Sequence, residues 1–198
     1  MGKGSASEMK QQTDSPARSE ECKAAMERVR RENEAFLAAN GRAPRVFVLT
    51  FGCQQNEADS EKLLGLSLAM GYEQTDLPDK AELILVNTCA IREHAEKKAL
   101  SIIGQYKHIK AKRPETMIAV CGCMVTQEHR VNEIKFSYPY VDFIFGTDMH
   151  HKLPEIVKTA LTAKKRFNFS TCTCCFYNLK PIPRRTFGVF RCDYLNHV

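Results

Sequence analysis

The stretch "VFVLTFGC", residues 46–53, decides the fold. Its short continuous run of apolar and β-branched residues, 46–51, is typical of a strand buried on both faces of a sheet. The segment 54–70 that follows has helix-forming residues, and Gly71 is a natural stop for a helix. The sequence therefore predicts a strand, a turn that carries Cys53, and a helix.

The same unit recurs along the chain. Further strands are predicted at "YEQT" (72–75), "ELILVN" (82–87), "MIAVC" (117–121) and "VDFIF" (141–145). Helical patterns separate them, and the last helix is predicted to begin at an Asp148 N-cap, with Pro154 in its first turns. Such alternation indicates a parallel sheet with helices on both faces. The predicted fold class is α/β, a flavodoxin-like, doubly wound parallel sheet of about five strands and five helices.

Composition divides the chain into three parts. Residues 1–44 are expected to form a disordered to helical extension, with a solvated helix over 20–40. Residues 45–163 form the predicted domain. Residues 164–198 carry 7 basic and 1 acidic side chains, and we expect a basic, irregular, cysteine-containing tail. This tail accounts for the net charge of +6, so the domain itself offers no broad phosphate-binding face.

The sequence has no apolar run long enough for a membrane helix and no apolar signal region at its start. We therefore expect a soluble, cytoplasmic protein without a membrane partner, and a monomer. Nine cysteines in such a chain are more consistent with reduced thiols, metal ligands or catalysts than with disulfides.

Three of the predicted strands lead into a cysteine: "VFVLTFGC" into Cys53, "LILVNTC" into Cys89 and "MIAVCGC" into Cys123. The carboxyl ends of parallel strands meet at one edge of the sheet, and ligand sites gather there where the strand order reverses. We therefore expect these three cysteines to converge in space, although each is more than 30 residues from the next.

Three converging cysteines suit a metal centre. The N-terminus of a following helix lowers a thiol pKa, and Gly52 and Gly122 let the backbone turn tightly. Such a site predicts either an iron–sulfur cluster with one open iron or a zinc ion with water or another residue as its fourth ligand. The alternative is that the cysteines are small, buried structural side chains.

Other residues near these turns have less definite roles. Cys121 lies inside a strand and is predicted to be a core residue, and Cys22 is predicted to be an exposed thiol. Arg92 begins a helix, where positive charge is unfavourable, and is a candidate to pair with an anion. The histidines show no ligand spacing. Polar residues beside the cysteines serve either as turn and capping groups or as donors to a cluster or substrate. They are Gln54, Gln55, Asn56, Asn87 and Thr88.

Four segments carry a resemblance to a known family: "TFGCQQNEADSEK", "LVNTCAIREHAEKKALSIIG", "VCGCMVTQE" and "YVDFIFGTDMHHKLPEIV". They resemble the N-terminal domain of the radical-SAM methylthiotransferases. Within this family they are similar to the tRNA-2-methylthio-N6-dimethylallyladenosine synthase branch, which adds a methylthio group to carbon 2 of isopentenyl-adenosine next to the anticodon. The ribosomal-protein and threonyl-carbamoyl-adenosine branches differ after the first cysteine.

The resemblance implies a transferase that acts on tRNA. It implies that Cys53, Cys89 and Cys123 hold an auxiliary 4Fe-4S cluster, whose uncoordinated iron would carry the sulfur to be inserted. Family members have "GC" at the third ligand, which points to Cys123 rather than Cys121. No catalytic side chain is assigned beyond these ligands.

The resemblance also implies a radical-SAM barrel, which binds a second 4Fe-4S cluster and S-adenosylmethionine through a C-x-x-x-C-x-x-C triad. This chain contains no such triad, and the spacing in its tail is C-x-C-C, from Cys172, Cys174, Cys175 and Cys192. That spacing is not a usual zinc motif either. We therefore expect a truncated or frameshifted product that is inactive alone.

Two other functions fit the sequence. One is a stand-alone iron–sulfur or zinc module that acts in redox sensing through a partner. The other is a small α/β binding domain with structural cysteines.

Overall fold

A computed structural model of the protein describes residues 16–90, 93–163 and 167–168. Within these ranges the helices are α1 (Pro16–Asn40), α2 (Gln54–Ala69), α3 (Glu93–Lys112), α4 (Glu128–Ser137) and α5 (Leu153–Ala163). The strands are β1 (Arg45–Thr50), β2 (Glu73–Gln74), β3 (Leu83–Thr88), β4 (Met117–Gly122), β5 (Phe143–Phe145) and β6 (Phe167–Asn168). Short 3-10 segments lie at Pro78–Lys80, Met124–Thr126 and Thr147–Lys152.

The strand order confirms the flavodoxin-like fold. All the strands pair in parallel in the order β2-β1-β3-β4-β5-β6. The chain moves outward from β1 to β2, returns past β1 to β3, and then continues in one direction. The order therefore reverses between β1 and β3, and the carboxyl ends of these two strands border the crevice where such folds bind ligands.

Helices cover both faces of the sheet, so that the domain has two apolar layers. One layer contains Val29 of α1, Leu63 of α2 and Ile156 of α5, packed on the sheet. The other contains Ile103 of α3 and Ile134 of α4. Strand β3 lies between the layers and is buried at every position, which explains its uninterrupted apolar run.

The N-terminal helix differs from the solvated helix that the sequence predicts. Ala25 and Val29 on α1 are fully buried, and α1 packs along α5. Asn33 donates from Nδ2 to the carbonyl of Met70 at 2.9 Å, which ties α1 to the end of α2. A few small apolar residues one helical turn apart are enough to dock a helix whose other faces are charged. The helix is therefore part of the packed structure.

The region after β5 also differs from prediction. Asp148 is not the N-cap of the last helix, because a 3-10 segment that begins after Gly146 precedes α5 and contains Asp148. Pro154 lies in the first turn of α5, as predicted. Within the segment expected to be irregular, β6 adds a strand beside β5, with Phe167 opposite Phe143. The sequence did not predict this strand, since two residues are too few to show a pattern.

Several predicted features lie outside the described residues. They are the disorder of residues 1–15, the role of Arg92, and the roles of Cys172, Cys174, Cys175 and Cys192. Among the described residues, no helix is both long enough and apolar enough to cross a membrane.

Candidate metal centre

The register of the sheet brings the three cysteine turns to one edge. Asn87 of β3 lies between Thr50 of β1 and Cys121 of β4, and Thr88 lies opposite Gly122. Cys89 directly follows Thr88, and Cys123 directly follows Gly122, so these two cysteines leave the sheet from paired positions. Cys53 is three residues beyond Thr50, at the N-cap position of α2.

A single carbonyl group connects these turns. The oxygen of Thr88, the residue before Cys89, accepts a hydrogen bond from the backbone N–H of Cys123 at 2.9 Å. The same oxygen accepts a hydrogen bond from Nδ2 of Asn56 at 3.0 Å. Asn56 lies in the first turn of α2, three residues after Cys53. The turn that carries Cys89 is therefore bonded directly to the turns that carry the other two cysteines.

Two glycines let these turns approach one another. Gly52 has φ +132°, and a Cβ there would lie 2.4 Å from Cβ of Cys89. Gly122 has φ +98°, and a Cβ there would lie 2.3 Å from the Thr88 oxygen. Both distances are impossible for a real side chain. The tight turns are as predicted, and they bring the cysteine turns into contact with one another.

The polar residues around the cysteines fall into two groups. Gln54 and Gln55 are exposed, whereas Asn56, Asn87 and Thr88 are buried. The buried group is hydrogen-bonded to the cysteine turns, and the Cys53 thiol donates to Oδ1 of Asn56 at 3.3 Å. Sequence alone could not separate the two groups, because their difference is one of burial.

The two other cysteines influence Cys123 electrostatically. Burial raises the pKa of the Cys123 thiol, and the neighbouring Cys89, Cys53 and Asp59 raise it further. This contradicts the prediction that helix dipoles lower the thiol pKa here. Cys123 is followed only by the three-residue segment Met124–Thr126, which is too short to have a strong dipole, and α4 begins later.

The donor set can be compared with both predicted metals. In the part of the chain that the structure describes, no three or more His, Cys, Asp or Glu side chains are grouped to hold one metal ion. In a 4Fe-4S cluster each cysteine binds a different iron, and a zinc ion can take three thiolates together with a fourth ligand. Three thiols on interlocked turns, with Cys89 buried and Cys53 and Cys123 half-buried, are a donor set that suits either centre.

The remaining described cysteines have separate positions. Cys121 is fully buried in the layer between the sheet and α5, which confirms that it is a core residue, and burial strongly raises its thiol pKa. Cys22 is half-buried rather than exposed, because α1 packs on the domain, and its thiol donates to the carbonyl of His151 at 3.4 Å.

The structure also reveals a buried histidine that sequence reasoning missed. The His150 side chain is 7% exposed, and its Nδ1 is 3.9 Å from a carboxylate oxygen of Asp59, which is too far for a hydrogen bond. Its Nε2 is buried without a hydrogen-bond partner among the described atoms. Burial lowers the pKa of His150, and Asp59 offsets this only in part. His150 lies in the 3-10 segment Thr147–Lys152, before α5 begins, so no helical periodicity in the sequence marked it as buried.

Comparison with known proteins identifies relatives. Residues 45–146 match the family described as "Uncharacterized protein family UPF0004". A tRNA-2-methylthio-N(6)-dimethylallyladenosine synthase of Clostridioides difficile is 44% identical over 140 residues, which are 71% of this chain and 29% of that protein. The protein of the same name from Caldicellulosiruptor saccharolyticus is 42% identical over 140 residues, 71% of this chain and 30% of that protein. The protein of the same name from Staphylococcus haemolyticus is 49% identical over 124 residues, which are 63% of this chain and 24% of that protein. The matched part of this chain thus spans less than a third of each relative.

Alanine at Gly52 tests the interlocking of the turns. We expect Gly52→Ala to lower the free energy of unfolding by about 3 kcal/mol or more, because it combines a disfavoured φ with a steric collision. Gly41→Ala is the matched control: Gly41 has φ +67° with no atom within 4 Å, so only the backbone cost of about 1–2 kcal/mol should appear. Urea denaturation measures both, and equal losses would contradict the interlocking.

Replacement of His150 tests its uncharged state. Because the pKa of His150 is lowered in the native state, the unfolded chain binds a proton at this residue at a higher pH than the native state does. Stability should therefore be complete above the unfolded value of about 6.5 and should decrease as pH falls below it. We expect His150→Leu to remove this part of the decrease between pH 7 and pH 5, measured by urea denaturation. His108→Leu, at an exposed position, should leave the decrease in place. An unchanged pH dependence in His150→Leu would refute this account.

Proposed function

Since the chain belongs to the UPF0004 family, we propose that it is the N-terminal, sulfur-donating domain of a tRNA methylthiotransferase. The observation that carries the proposal is the meeting of three cysteine turns at the carboxyl edge of the sheet. Relatives that are 42–49% identical in this region all have the name of such an enzyme.

In this proposal Cys53, Cys89 and Cys123 hold an auxiliary 4Fe-4S cluster. When bound, a cluster with three cysteine ligands supplies one open iron that can carry a sulfur atom. Support comes from the donor set and from the hydrogen bonds that join the turns.

The chain's own residues perform three tasks in this function. Cys89 is 1% exposed, so it is the proposed ligand that is shielded from water. Cys53 and Cys123 are half-buried, so these two residues are in part accessible to solvent. Gly52 and Gly122 let the turns that carry the ligands approach to contact distance.

The reaction of the whole enzyme follows the names of the relatives. We propose that the substrate is tRNA that carries N6-dimethylallyladenosine and that the product carries a methylthio group at carbon 2 of this base. The reaction would take place in the cytoplasm. S-adenosylmethionine and a second cluster would be needed for the radical step. Neither is assigned to a residue of this chain.

Anaerobic reconstitution with ferrous iron and sulfide tests the cluster. We expect about one 4Fe-4S cluster per chain, seen as a brown colour, a broad absorption band and iron and sulfide contents. Cys53→Ala, Cys89→Ala and Cys123→Ala should each lose most of the bound iron, because each removes a ligand. Cys22→Ala is the matched control and should bind as much iron as the unmodified chain. Equal iron in all the variants, or none in the unmodified chain, would exclude the proposed site.

A chimera tests the enzymatic role separately. Residues 45–163 would replace the corresponding segment of the Clostridioides difficile relative in a bacterial strain that lacks its own methylthiotransferase. We expect 2-methylthio nucleosides to return in the tRNA, measured by mass spectrometry, and to be absent when the chimera carries Cys53→Ala. A folded, iron-loaded chimera without product would count against this role while leaving the cluster site intact.

A further inference from the structure

We propose that Asn56 is a positioning residue of the metal centre: it fixes Cys53 relative to Cys89 and thereby determines how firmly iron is retained. The inference rests on the proposed function, because it concerns the same site. It assigns a task to a side chain that is not one of the proposed ligands.

Both polar atoms of the Asn56 side chain make hydrogen bonds to a cysteine turn or to the neighbouring Asn87 side chain. Its Nδ2 donates to the Thr88 oxygen at 3.0 Å and lies 3.3 Å from Oδ1 of Asn87. Its Oδ1 accepts from the Cys53 thiol at 3.3 Å. Rotation of the amide by half a turn would bring oxygen against two oxygens. The hydrogen bonds therefore fix the orientation of the amide. The thiol bond is lost when Cys53 gives up its proton to bind iron, whereas the bond from Nδ2 to the Thr88 oxygen remains and sets the separation of the first turn of α2, which follows Cys53, from the residue before Cys89.

Asn87 holds Asn56 from the opposite side. Its Nδ2 donates to the backbone oxygen of Asn56 at 2.8 Å and to Oγ of Ser60 at 3.0 Å. The Ser60 hydroxyl in turn accepts from Thr50 at 2.7 Å. Asn56 and Asn87 are 1% and 0% exposed. Hydrogen bonds inside a protein that are shielded from water restrain geometry strongly, so this network rigidly joins the ends of β1 and β3.

The position of Asn56 in its helix shows that it does not serve the helix itself. Cys53 is the N-cap of α2 and makes no side-chain cap hydrogen bond, and Asn56 is at the third helical position. A polar side chain there usually reaches back to the N-cap backbone N–H. Asn56 instead donates across to the turn of Cys89. Its amide thus contributes to the relative position of two ligands rather than to the local stability of α2.

The test measures iron release from folded protein. Chains reconstituted with ferrous iron and sulfide are mixed with an excess of a chelator, and the cluster absorbance is followed under anaerobic conditions in buffer without denaturant. We expect Asn56→Ala to release iron at least about tenfold faster than the unmodified chain, as for other residues that orient metal ligands. Gln54→Ala is the matched control, since Gln54 is the exposed amide next to Cys53, and its release rate should be unchanged.

A second variant separates hydrogen bonding from volume. Asn56→Asp keeps the size of the side chain and an oxygen toward Cys53, but it cannot donate to the Thr88 oxygen. We expect it to release iron as fast as Asn56→Ala and to change the electron paramagnetic resonance spectrum of the reduced cluster. It also serves as the test if Asn56→Ala does not fold.

A stability control excludes a merely structural role. Val29→Ala weakens the packing of α1 at a fully buried position away from the cysteine turns, and urea denaturation shows whether its loss of stability is comparable. We expect its release rate and spectrum to match those of the unmodified chain. Equal release from Val29→Ala and Asn56→Ala at equal stability would overturn the inference, and so would slow release from both Asn56 variants. An unmodified chain that binds no iron would overturn the proposed function as well.

Discussion

The carbonyl oxygen of Thr88 is the group on which the candidate site depends. It accepts one hydrogen bond from the backbone of Cys123 and one from the side chain of Asn56. Both donors come from neighbouring turns, so the position of each cysteine turn is defined relative to the same atom. A carbonyl oxygen has two lone pairs, and here both are used to connect separate parts of the chain.

Close approach of the turns is possible only because Gly52 and Gly122 have no side chains. Each has a positive φ, and a Cβ at either position would overlap an atom of the turn that carries Cys89. Burial accompanies this approach. Burial and the neighbouring sulfurs disfavour a charged thiolate at Cys123, so the geometry that brings the thiols together also opposes ionisation of this cysteine. A metal ion bound there would have to displace the Cys123 proton, and its positive charge would then stabilise the thiolate.

Much of the architecture could be predicted from the chain because it depends on local patterns. The apolar runs around Val48, Leu85 and Val120 indicated strands buried on both faces, and the structure has β1, β3 and β4 there. Strands β3 and β4 are buried almost throughout, whereas β1 is half-buried at every position except Val46. The docking of α1 and the short strand β6 could not be predicted, because they depend on surfaces that other elements create. The burial of His150 belongs to the same class, since only packing decides which side of a 3-10 segment faces the core.

The sequence by itself determined the order of strands and helices and the placement of three cysteines directly after strands. It did so because periodicity, glycine and chain order are properties of adjacent residues. Only the tertiary structure decided that Asn56 and Asn87 are buried and bonded to each other, while Gln54 and Gln55 remain in solvent. It also decided that Cys123 lacks the favourable helix dipole expected for it. The reason is that hydrogen bonds and electrostatic effects between distant residues depend on the register of the sheet, which brings Asn87 beside both Thr50 and Cys121.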